Sequence, residues 1–73
     1  MADSEVVATI SAIMARLGLT MSEASAFANT SSATLRYSIA TGTLPGREAP
    51  RRAIRDFAMR NANARSRAEI KLA

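Results

Sequence analysis

Apolar positions near the start of the chain recur with the period of a helix. Val6, Ile10, Ile13, Met14 and Leu17 stand at i, i+4, i+7, i+8 and i+11, one continuous stripe along a cylinder. The stripe predicts helix 1 over residues 4–17, with Asp3 or Ser4 as its cap, Glu5 favouring its positive end and Gly18 stopping it. Thr20 and Glu23 then stand in the T-x-x-E relation of a capping box, which opens helix 2 at about 21–28. Ala24 and Ala28 give it a small apolar edge against which another helix can pack closely. Phe27 either completes the core or marks an exposed dimer patch. Asn29 is one of the few residues besides glycine able to end a helix in the left-handed conformation.

Ser31 or Ser32 can cap helix 3, predicted over 32–41, with Leu35 and Ile39 inward and Gly42 at its end. A loop bounded by two prolines, Thr43 to Pro50, follows. Helix 4 is expected at about 49–61, because Pro50 suits a first turn and Ile54, Phe57 and Ala58 repeat at i, i+3, i+4. Arg51, Arg52 and Arg55 would project from its polar side, towards phosphate or simply into solvent. Asn61, Ala62 and Asn63 break the pattern. Ser66 and Glu69 form a second capping pair, so a short last helix can begin at about 66; Ile70 and Leu72 would then pack across a two-fold axis, as helix or as strand. A frayed basic tail fits the same residues. The sum is an all-α domain of four to five short helices.

At 73 residues the chain makes one small domain, 1–73, with a thin alanine-rich core and three aromatic residues. Chains of this size often gain stability by oligomerising. Cysteine and histidine are both missing, which removes disulfides, thiolate and imidazole metal ligands, and the common bases and nucleophiles. No phosphate-cradling glycine pattern is present either, so neither an enzyme nor a cofactor or small-molecule site is expected. No run approaches the ~18 apolar residues of a membrane span. Helix 4 is too narrowly apolar for a membrane surface. Residues 1–4 lack the basic segment and apolar run of a signal peptide, and a cytoplasmic protein is expected.

Charge changes the picture more. Residues 1–35 hold Arg16 against Asp3, Glu5 and Glu23, a balance of −2. Residues 36–73 hold nine cations, all arginine but Lys71, against Glu48, Asp56 and Glu69, a balance of +6. Such asymmetry suits a phosphate-binding face, and a solubilising tail would share it. Arginine in place of lysine favours the first, since its planar fork matches phosphate and guanine.

Two short helices around a turn at residues 20–42 make a helix-turn-helix. The spacing of Ala24, Ser25, Ala28, Asn29, Thr30 and Leu35 resembles that of the Cro/repressor (Xre-type) family. That family usually has Ala at the position of Ser25, Gly at Asn29 and an aliphatic residue at Thr30. The run Thr34-Leu35-Arg36-Tyr37, followed by Gly42, Leu44 and Pro45, is also similar to the recognition-helix signature of MerR-type regulators. One helix placed before the motif is the Xre-type arrangement. A β-wing after Pro45, the MerR-type one, has little support in EAPRRAIRDFAMR, which lacks alternating β-branched residues.

The resemblance implies a sequence-specific transcriptional regulator of double-stranded DNA, acting as a homodimer whose recognition helices read half-sites about one helical turn apart. Regulators of phages and mobile elements are often this small in the family resembled. Base contacts would come from Ser32, Ala33, Arg36 and Tyr37, with Arg36 able to grip guanine O6 and N7 and Ala33 able to meet a thymine methyl. Tyr37 would otherwise be a half-buried ring between helices 3 and 4. Phosphate contacts would come from Thr20, Ser22, Ser31, Thr34, Thr43, Arg47, Arg51 and Arg52, with the start of helix 2 offering free amides. Thr20 serves as readily as a plain cap. Two other functions compete: a MerR-like excisionase or architectural protein that bends DNA, and an antirepressor-type module whose arginines bind an acidic protein.

Overall fold

The computed structural model describes residues 1–72. Four helices follow in order: α1 (Asp3–Leu17), α2 (Met21–Phe27), α3 (Ser32–Thr41) and α4 (Glu48–Asn61), then a single 3₁₀ turn at Arg67–Glu69. No strand occurs among the described residues. The all-α class is as the hydrophobic pattern predicts, and the segment after Pro45 forms α4 where a MerR-type wing would lie.

Each helix stops where backbone chemistry requires it. Gly18 is left-handed (φ 66°), and Leu19 N–H returns to the Met14 carbonyl at 2.9 Å. Asn29 is the one non-glycine residue with positive φ (58°) among those described, and Thr30 N–H closes on the Ser25 carbonyl at 3.0 Å. These are matching closures of orphan helix carbonyls. Gly42 (φ 73°) ends α3 by donating to the Ser38 carbonyl at 2.8 Å.

The start of α1 corrects the sequence reading. Ala2 holds the cap position and has no side-chain acceptor, so neither Asp3 nor Ser4 caps the helix. Glu5 instead reaches back to accept from Ala2 N–H at 2.9 Å. Asp3, released from capping, joins α1 to the far end of the chain. It pairs with Arg51 of α4 at 2.7 Å and accepts from Leu44 N–H at 3.4 Å.

α1 packs most broadly against α4 and also against α3, while α2 packs on α3. The core between them comprises Val6, Val7, Ile10, Ile13, Leu17, Leu19, Ala24, Ala28, Leu35, Leu44, Ile54, Phe57, Ala58 and Ala64, with Met14, Phe27, Ile39 and Ile70 against its edge. Phe27 therefore completes the core. The radius of gyration, 10.7 Å, matches the ~11 Å of a close-packed chain of this length. Ile39 is only partly buried; Ser38 takes the inward place beside Leu35, and its hydroxyl finds no hydrogen-bond partner.

Past α4 the chain neither frays nor forms a regular helix. Residues 62–72 fold back over the body, and Glu69 accepts from Arg65 N–H at 2.8 Å while Ser66 makes no side-chain cap. The turn is closed instead by the backbone, Glu69 N–H donating to the Ser66 carbonyl at 3.1 Å. No single helix among the described residues is long and apolar enough to cross a membrane.

Candidate nucleic-acid interface

α3 has two sides of opposite character. Leu35 and Ser38 are buried at 1% exposure. Ala33, Arg36, Tyr37 and Ala40 lie opposite and are exposed, as helical spacing requires. Tyr37 is 57% exposed, which is more open than the half-buried seam ring of the alternative reading. The Arg36 guanidinium has no hydrogen-bond or ion-pair partner among the described residues. Ala33 and Ala40 flank these two long side chains with short ones, which leaves the cylinder narrow enough to approach a surface closely.

The hydroxyls around α3 are mostly engaged at home. Ser31 caps the helix: its Oγ accepts from Thr34 N–H at 3.1 Å and donates to Thr34 Oγ1 at 2.7 Å. The Thr34 hydroxyl proton remains free. Ser25 Oγ donates to the Ser22 carbonyl at 2.9 Å, so the 2.9 Å contact between Ser25 and Ser32 has Ser32 as donor. Ser32 has spent its proton but keeps lone pairs, and can accept from a ligand but not donate to it. Thr41 Oγ1 donates to the Tyr37 carbonyl at 2.8 Å, which makes Thr43 the donor in their 2.8 Å contact. Thr20 Oγ1 accepts from Glu23 N–H at 3.0 Å and its hydroxyl is also engaged by the Glu23 carboxylate, whereas the exposed Ser22 hydroxyl has no partner among the described residues.

Of the three arginines expected at phosphate, Arg47 is exposed and is the one without a partner among the described residues. Arg51 is held by Asp3 and donates to the Pro45 carbonyl at 3.2 Å. Arg52 pairs with Glu48 one turn away on α4. Arg55 has no partner among the described residues.

Two arginines that the sequence reading counted only as charge are structural ties. Arg16 donates to the Ala64 carbonyl at 2.8 Å and the Ala62 carbonyl at 3.0 Å, satisfying backbone groups just beyond α4. Arg67 grips Glu23 at 2.6 and 3.2 Å and the Gly18 carbonyl at 2.7 Å. The hydrogen bond from Arg67, then that from Thr20 N–H, hold the Glu23 carboxyl well below its ordinary 4.5, at about 2. The Arg67 guanidinium is correspondingly raised by the same partner. A helix-end position gives Arg16 a weak signal in sequence, since cations favour helix C-termini. Arg67 has none, because Glu23 is far away along the chain.

No group of three or more acidic, histidine or cysteine side chains gathers among the described residues to hold a metal. No family model, characterised protein or solved structure matches the chain.

Proposed function

We propose that this protein is a cytoplasmic, sequence-specific regulator of double-stranded DNA that acts as a homodimer at a promoter or operator. The observation that carries the reading is the outer face of α3. Arg36 and Tyr37 project from it unpaired, between two alanines, while Leu35 and Ser38 anchor the opposite side. A helix of this outline fits the major groove, whose width admits one helix. α2, the turn at 28–31 and α3 then act as a helix-turn-helix. Arg36 reads guanine through O6 and N7, Ala33 and Ala40 let the helix lie deep, and Ser32 accepts from a base amino group. Arg47 and the free protons of Thr34 and Ser22 hold backbone phosphates.

Selection of bound duplexes from a random library tests the proposal. The expected result is a two-fold-symmetric site with half-sites about one helical turn apart and a guanine in each. Affinity for that site should exceed affinity for random duplex and fall steeply with salt. Recovery of no preferred sequence, together with tight binding to an acidic protein, would place the molecule among protein–protein modules.

A further inference from the structure

The strap formed by residues 62–72 is tied down at three places. Asn61, buried at 1% exposure, donates to the Lys71 carbonyl at 3.1 Å and accepts from Lys71 N–H at 2.6 Å. Arg16 holds the carbonyls of Ala62 and Ala64. Between these ties stands Arg67, whose fork spans both Glu23 oxygens and the Gly18 carbonyl. One side chain thus joins the end of α1, the start of α2 and the strap. The chain bends by 117° at this corner.

α2 has only seven residues, too few to be a stable helix without outside support. Its C-terminal half is fixed to α3 by the Ser25–Ser32 hydroxyl contact. Its N-terminal end is fixed by the Thr20–Glu23 capping box and by Arg67. The fork matters here, because a carboxylate and a carbonyl must be reached together, which a single ammonium does less well.

We propose that Arg67 is a positioning residue: it sets the angle between α1 and α2 and, through the packing of α2 on α3, the aim of the outer face of α3. The functional half of this statement rests on the DNA-binding reading above.

The test compares the wild-type chain with Arg67→Ala and Arg67→Lys. Amide hydrogen exchange is read helix by helix, and binding to the selected and to random duplex is measured over a series of salt concentrations. In Arg67→Ala, α2 amides should lose about tenfold or more in protection while α1 and α4 keep theirs. Affinity for the selected site should fall by about tenfold with random duplex little changed, and Arg67→Lys should recover part of both losses. The slope of log affinity against log salt should not move. A slope smaller by about 0.9 would make Arg67 a phosphate contact and overturn the proposal. Equal loss of protection in every helix, or none in α2, overturns it as well. If the wild type prefers no duplex, the functional reading fails by itself, and the exchange pattern alone decides whether Arg67 braces α2.

Discussion

Arg36 on α3 and Arg51, Arg52 and Arg67 of α4 and the strap have the same chemistry and are used in opposite ways. Arg36 has no partner among the described residues and stands on a face whose other members are exposed. Arg51, Arg52 and Arg67 each hold a carboxylate, and Arg16 and Arg67 satisfy backbone carbonyls as well. The difference teaches that charge counted along a sequence is not charge available to a ligand. Two of the pairs, Arg51–Asp3 and Arg67–Glu23, join the basic half of the chain to the acidic half. The fold therefore cancels part of the asymmetry that first suggested a nucleic-acid partner. The cations whose side chains have no partner among the described residues are Arg36, Arg47, Arg55, Arg65 and Lys71, and of these only Arg36 lies on α3.

Substitutions can break or sharpen this contrast. The largest effect should come from the buried side of α3: Leu35→Ala is expected to cost ~2–5 kcal/mol of stability in denaturant unfolding. A change below 1 kcal/mol would mean that α3 is not anchored as described. On the outer side, Arg36→Ala should leave stability within ~0.5 kcal/mol and weaken the selected duplex by ~1–3 kcal/mol, measured by fluorescence titration. If selected and random duplex weaken alike, Arg36 touches backbone and not bases.

Ser38→Ala should raise stability by about 1 kcal/mol, since it removes a buried hydroxyl that lacks a partner. Loss of stability there would point to a hydrogen bond formed in solution. Arg51→Ala should cost up to ~1 kcal/mol of stability, as expected of a partly exposed pair, and leave the salt slope of DNA binding unchanged. The last effect is a matter of pH. Because the folded Glu23 carboxyl titrates at about 2 and its ordinary value is 4.5, the unfolded chain takes up the proton first. Its contribution is complete above pH 4.5 and disappears as pH falls to about 2. Acid unfolding of Glu23→Gln should lack that part of the pH dependence.

Much of the fold was legible because its signals are local. The helical stripe from Val6 to Leu17, the Thr20–Glu23 box, Asn29 and Gly42 each act within a few residues, and their elements form where those signals lie. The interior of the loops was harder. Leu19 and Leu44 are buried, but neither belongs to a periodic run, so nothing in their spacing marks them as core. The exposed face of α3 follows from helical geometry once Leu35 is placed inward. The pairing of Arg51 and Arg67 does not follow from sequence, since it depends on which ends of α1, α2, α4 and the strap meet in space. Asp3 shows the same limit from the other side. Its position fits a cap, but a distant arginine and the Leu44 amide engage it instead.

Chemical-shift mapping of the isotope-labelled protein during titration with the selected duplex tests the central claim most directly. The account predicts the largest amide perturbations at Ala33, Arg36, Tyr37 and Ala40, with smaller ones at Thr34 and Arg47. Perturbations concentrated on α4 and residues 62–72, with the outer face of α3 unchanged, would contradict it.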